Sequence, residues 1–322
     1  MRRRQLLALS VLVPFGLVAC GGPETEGGEA GSTTAQNFEY SPKGYDGLTI
    51  KLDKPAERIA ADFYSAAGLS QYGIKPVAVF GFGKNESPGK SFDSKGVKVV
   101  GTDNELDLEA LAVAEPDIMV AYGNEKGDGW TWWDDKVKNQ VTDLVDFVPV
   151  KLSDQTPDDM FDQYAAIAKA LGKDTDTAEI TNKRKAYEDA RQRIRDIAKK
   201  KDSLTVLLAS LSSDLNYTSK DSGVAAMLAD DGLNLVGAEA TDESSWAEVS
   251  WEKMSDYPAD VLLVLDASAD YKDNPVYKRL PAVKAGQVGN WDDKRAYTYD
   301  GYAKWLNELA DLLEGAKEIV KK

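Results

Sequence analysis

No histidine occurs anywhere in the 322 residues, and cysteine occurs once, at Cys20. The first absence excludes histidine acid–base catalysis, Ser-His-Asp triads and histidine-ligated metals. The second excludes intramolecular disulfides and cysteine-ligated zinc. Positive charge is in short supply: 39 Lys and Arg stand against 54 Asp and Glu, a formal charge of −15. The first twenty residues hold three Arg and no acid, so residues 21–322 carry −18. That balance excludes a nucleic-acid groove and a polybasic membrane surface. Beyond the first twenty residues and outside 183–195, arginine occurs only as Arg58, Arg279 and Arg295. Long hydrophobic runs are missing as well: the stretch Leu6 to Val18 is interrupted by Pro14 and is too short to span a bilayer. What is present is ordinary for a soluble globular protein, 43% hydrophobic and 29% charged. The length admits two lobes with cores of their own.

Residues 1–20 read as a targeting segment, with Arg2, Arg3 and Arg4 as its positive start. It ends in Leu17-Val18-Ala19-Cys20, which resembles the bacterial lipobox, where the cysteine becomes the lipidated first residue. Arg3-Arg4-Gln5-Leu6-Leu7 also has a twin-arginine layout, so the export route stays open. Residues 21–45, rich in Gly, Glu, Thr and Ser, read as a flexible tether.

Asp174 to Ser203 contains no Gly and no Pro, begins acidic and ends in Lys199, Lys200 and Lys201. That polarity suits the helix macrodipole at both ends. Ile180, Tyr187, Ala190, Ile194 and Ile197 fall on one stripe at helical spacing. A helix of roughly 27 residues would run about 40 Å, long for a globular domain. The narrow stripe fits a bracing helix between lobes; an amphipathic helix within one domain is the alternative.

Each flank alternates short β runs with helical segments, which predicts two α/β lobes with central parallel sheets. The boundaries are 46–172 for the first lobe, 173–202 for the joining helix and 203–322 for the second lobe. In the first lobe strands are expected near 48–52, 58–61, 76–80, 97–100, 116–121 and 147–150. In the second, strands are expected near 204–211, 233–236, 260–265, 288–291 and 296–299, with a closing helix from Gly301. Ligands of such sheets bind beyond the carboxyl ends of the strands. The residues expected there are Tyr64, Phe82, Lys84, Tyr122 and the loop to Trp133, then Tyr217, Trp246, Trp291, Arg295, Tyr299 and Tyr302. Trp130, Trp132 and Trp133 stand in a polar, glycine-rich context, as a lid on their own lobe or as a ligand wall. Gly83 to Ser91 ends like a P-loop but has five residues between its glycines where four are needed, and Pro88 removes an amide. No nucleotide site is read there.

Five motifs in order carry a family resemblance. They are Pro55 to Ala61, Gly73 to Val79, Gly101 to Asp117, the strand Asp260 to Leu265 and the turn Lys284 to Val288. Together they resemble the substrate-binding lipoproteins of ABC importers for ferric siderophores, haem and cobalamin. The resemblance implies two α/β lobes, one spanning helix and a ligand held between the lobes, with no catalysis and no resident cofactor. The implied partners are the transmembrane subunits of an ABC permease and, through Cys20, the outer face of the cell membrane; the protein is expected to be a monomer. The lack of His and the scarcity of Arg depart from metal-ion and many anionic-chelate binders. With −18 of charge, a neutral or cationic hydroxamate chelate of iron is the expected ligand, with cobalamin or haem as the alternative. An exported glycan-acting enzyme is the alternative of another class, though no carboxylate pair stands out by spacing. The resemblance also implies an acidic residue on each lobe that docks to the permease, for which the sequence offers Asp134 and Asp135, then Asp230 and Asp231.

Overall fold

The structure is a computed structural model that describes residues 37–241, 244–265, 270–293 and 295–320. The targeting segment, Cys20 and the tether up to residue 36 lie outside the described residues. The folded body starts earlier than the composition of the tether predicts. Phe38, Tyr40 and Tyr45 are buried, and β1 (Glu39–Tyr40) pairs antiparallel with β2 (Ile50–Lys51). Three aromatics in a polar stretch were enough to draw its last residues into the core.

The first lobe then runs β3 (Ile59–Asp62), α1 (Phe63–Ser70), β4 (Ala78–Phe80), α2 (Ser87–Lys90), β5 (Lys98–Val99), α3 (Leu108–Ala114), β6 (Ile118–Tyr122), α4 (Asp135–Thr142), β7 (Asp146–Val150) and α5 (Pro157–Ala170). Its five strands lie in the order β5-β4-β3-β6-β7, every pair parallel. The chain walks outward from β3 to β5, then returns to lay β6 on the other side of β3. That reversal, between β3 and β6, is a topological switch point, the place where sheets of this kind bind ligands beyond their carboxyl strand ends. Four of the five helix starts have a side-chain cap: Asp62, Asp107, Asp134 and Thr156 accept a backbone N–H in the first turn of α1, α3, α4 and α5. At α5 the Thr156 and Asp159 side chains form a full capping box, with Pro157 at the first turn.

The joining helix is α6 (Ala178–Lys200), 23 residues without a break. Thr177 caps it, so it starts later than the uncapped pattern predicts. The expected stripe is buried along its length, and Arg191 is buried with it.

The second lobe comprises β8 (Thr205–Ser210), β9 (Asn216–Thr218), α7 (Gly223–Asp230), β10 (Asn234–Val236), β11 (Ala247–Val249), β12 (Val261–Leu265), α8 (Pro281–Lys284), β13 (Val288–Trp291) and α9 (Tyr299–Gly315). Strands β8, β10, β12 and β13 pair in parallel. β9 and β11 form an antiparallel edge that no sequence pattern announced. The strand expected at 296–299 is an extended lead-in whose Thr298 caps α9.

The lobes are joined by more than α6. α9 packs along it, with Arg193 reaching Asp311 and Glu314, and Lys201 Nζ donates to the carbonyls of Leu313, Glu314 and Ala316. Phe161 of α5 packs its ring 4.5 Å from Tyr299 and 5.5 Å from Tyr302. At the start of α7 the backbones of the lobes nearly touch: a Cβ on Gly223 would stand 2.0 Å from the Gln155 carbonyl oxygen. Among the described residues no helix is long and apolar enough to cross a membrane.

Candidate functional site

The carboxyl ends of the two sheets meet. Leaving β13, the chain crosses to the first lobe, where the Ala296 N–H donates to Ser87 Oγ at 3.2 Å. Gln71 then brackets the strap, its Nε2 donating to the Tyr297 carbonyl and its Oε1 accepting from the Tyr299 N–H. Tyr64, in the first turn of α1 just after β3, is buried. Burial, then the negative fields of Glu86, Asp62, Asp293 and Asp292, hold its phenol well above the ordinary tyrosine range. Two of those carboxylates belong to the other lobe.

The first lobe contributes one continuous aromatic surface. Tyr64 lies 5.1 Å from Tyr122, which lies 6.3 Å from Trp132. Phe82 meets Trp132 edge-on at 5.3 Å and stacks on Trp130 at 5.7 Å. Trp130 and Trp132 stand 4.8 Å apart, T-shaped. Their exposures separate the roles that the sequence left open. Trp132 is 41% exposed, Phe82 is half-buried, and Trp130 is 1% exposed. Trp130 is therefore a support under the wall, and Trp132 and Phe82 are its face. Trp133, half-buried, stacks on Phe80 and packs against Phe147, within the lobe. Lys84 is exposed at the turn that follows.

In the second lobe Trp246, half-buried, packs 5.4 Å from Trp291. Trp291 is 2% exposed and its Nε1 donates to the Ala209 carbonyl, so it ties β13 to β8. Arg295 lies with its guanidinium 5.2 Å over the Trp305 ring. Tyr217 is half-buried on β9, opposite Glu248. Tyr299 is misplaced by the sequence reading. Its ring is buried against Phe161 and Tyr187 and lies under Arg184. It lines a groove of about 460 Å³ along α6 with Asp158, Arg184, Arg191 and Arg195. α9 begins two residues sooner than expected, and Tyr299 in its first turn packs against Tyr187 of α6. Within that groove Arg191 pairs with Asp158, while Arg184 turns to Asp176 and Arg195 to Asp231.

The acidic pairs also separate. Asp134 and Asp135 are exposed; Asp134 accepts the Val137 N–H as the cap of α4, and Asp135 pairs with Lys138. Asp230 is exposed. Asp231 is not a surface residue: its side chain is 0% exposed and receives two hydrogen bonds from Arg191 and one from Arg195. Those cations on α6 explain why an acid is tolerated at the end of α7.

Reasoning from sequence missed Tyr164, which is fully buried with its hydroxyl 3.5 Å from Ser65 Oγ. It missed Tyr297, which stacks on Tyr302 at 5.8 Å, and it missed Gln71 and Ser87 as holders of the strap. The Thr156-Pro157-Asp158-Asp159 signal could have found α5 and with it Tyr164. Nothing local marks Gln71.

Two α/β lobes bridged by one continuous helix, with the carboxyl ends of their sheets turned together over an aromatic wall, are the architecture of a helix-bridged solute-binding protein. The chain belongs to the periplasmic binding protein family, which it matches over residues 75–294. It is 23% identical to the Fe(3+)-citrate-binding protein YfmC of Bacillus subtilis over 95% of each chain. It is 24% identical to the probable siderophore-binding lipoprotein YfiY of the same organism over 96% of each. Among solved structures it is similar to DesE, a ferric-siderophore receptor protein of Streptomyces coelicolor. There the identity is 27% and the TM-score 0.77, over 88% of this chain and all of that one. FhuD2 of Staphylococcus aureus, solved with bound ferrioxamine B, shares the fold at a TM-score of 0.59 and 20% identity, over 80% of this chain and 98% of that one.

Proposed function

We propose that this protein captures a ferric siderophore outside the cytoplasm and hands it to an ABC permease, held at the membrane by a lipid on Cys20. The observation that carries the reading is the wall whose face is Phe82 and Trp132, set on the buried Trp130, at the switch point of the first sheet. Large rigid rings supply contact area at small entropic cost to a ligand whose metal is already chelated. Trp246 and Arg295 face it from the second lobe in this reading. It does not require catalysis. The names of the relatives support iron-chelate binding, and the −18 charge with few arginines favours a neutral or cationic hydroxamate over an anionic chelate.

Titration of tryptophan fluorescence tests this. Ferric ferrioxamine B should quench at low micromolar concentration or below, ferric citrate more weakly, and Zn or Mn ions not at all. Saturable binding of Zn or Mn with no response to any ferric chelate would overturn the reading. For the permease contact, Asp135 and Asp230 are the exposed acids that no cap holds. Asp135→Lys with Asp230→Lys should spare chelate binding and abolish uptake, the effect weakening with salt; normal uptake removes both from the interface.

A further inference from the structure

Asp62 is a fully buried carboxylate at the switch point, and none of its hydrogen-bond partners carries a charge. Its Oδ1 accepts the Ser65 N–H at 2.7 Å, and its Oδ2 accepts the Tyr122 N–H at 3.0 Å and the Trp130 indole N–H at 3.1 Å. One side chain thus binds the start of α1, the end of β6 and the aromatic loop. The Trp130 ring also packs closely on Gly81. Gly81 has φ +86°, and a Cβ there would stand 2.7 Å from the ring. Its N–H is held by Asp62, its benzo edge lies close to Gly81, and Trp132 and Phe82 are both set against the ring.

We propose that Asp62 is a positioning residue for ligand binding: through the Trp130 indole it sets the wall that Trp132 and Phe82 present. This rests on the reading of that wall as the ligand surface. Three N–H groups converge on the two oxygens, so the position requires a pure acceptor. Asparagine, of nearly the same size, would turn a donor towards one of the donors. Burial pushes the Asp62 pKa up, and the hydrogen bonds from Tyr122, Ser65 and Trp130 work against that rise.

Four proteins test this: wild type, Asp62→Asn, Trp130→Phe and the double variant. The probe is ferric ferrioxamine B. Asp62→Asn should weaken binding about tenfold, the effect of one unmet buried donor. In the Trp130→Phe background the same change should weaken it less than about twofold, since no indole N–H remains to be held. Without ligand, near-ultraviolet circular dichroism should show the same pattern: Asp62→Asn alters the aromatic bands of the wild type and adds no change to Trp130→Phe. A carboxylate that only caps α1 would shift affinity and dichroism equally in both backgrounds, and that result overturns the proposal. Should Asp62→Asn not fold, Trp130→Phe carries the test, because it leaves the Ser65 and Tyr122 bonds in place; unchanged affinity would then overturn it. If the wild type takes no ferric ferrioxamine B, the functional reading fails, and the ligand-free dichroism still decides the role of Asp62.

Discussion

Asp62 and Asp260 are both buried carboxylates, and their surroundings push them in opposite directions. At Asp260 burial raises the pKa, but the Thr205 backbone and hydroxyl and the Ile319 and Val320 N–H groups outweigh it and hold the value below the ordinary one. A lowered folded value means stability present above the unfolded value, near 3.9, and lost as pH falls through the folded one. Asp62 is the reverse: its raised value makes charging unfavourable in the fold, so its contribution declines as pH rises through the unfolded value. Asp260 joins the second sheet to the last described residues, and Asp260→Asn replaces one acceptor oxygen by a donor facing donors. We expect a loss of about 2 kcal/mol at pH 7. Urea midpoints of the two proteins should converge as pH falls below about 4; a gap that stays constant down to pH 3 would mean that charge plays no part there.

At the scale of elements, α6 is more a clamp than a spacer. Arg191 lies in its buried stripe, where the guanidinium bonds Asp158 of α5 and Asp231 beyond α7, so one side chain on the joining helix holds a helix from each lobe. Arg191→Met keeps the apolar packing and leaves Asp231 with Arg195 alone. We expect a loss of about 3 kcal/mol in urea unfolding, because a buried charge loses its bidentate partner. A loss below about 1 kcal/mol would place Arg191 among ordinary surface pairs. The apolar stripe of α6 was legible because a 3.6-residue period needs no tertiary information; the clamp was not, since Arg191 reads as one more charge on a polar face. Likewise β3, β4, β6 and β12 were legible as apolar runs. β9 and β11 were not: each has three residues, and although β9 folds back on β8 across a short loop, β11 reaches β9 only across a long connection. The aromatic wall of the proposed site was legible as a set of aromatic residues near strand ends. Which rings face solvent was not: Trp130 and Trp132 are two positions apart in one loop, and only the reach of Asp62 to the first settles which is buried.

For the whole molecule the question is how far the lobes can move. Hinge closure needs residues that absorb a change in backbone angles, and a helix bends sharply only at Pro, Gly or an inserted group. α6 contains no Gly and no Pro over its 23 residues. α9 runs beside it and is tied to it through Arg193 and Lys201. Phe161 packs on Tyr299 and Tyr302, Arg191 clamps α5 to the end of α7, and Gly223 meets the Gln155 carbonyl. At the strand ends the strap bonds to Ser87 and Gln71. An opening of the lobes by tens of degrees would break several of these at once, at buried positions where unmet donors are costly. Ligand entry should therefore rest on local movement of the strap and of Trp132. X-ray scattering with and without ferric ferrioxamine B should give superimposable curves, the radius of gyration of a body near 19 Å changing by less than about 1 Å. The Arg191→Met variant supplies the control, because loosening the clamp should allow a change that the wild type does not show. A large compaction of the wild type on adding ligand would mean that α6 and its contacts yield, and that the lobes pivot about a joint elsewhere.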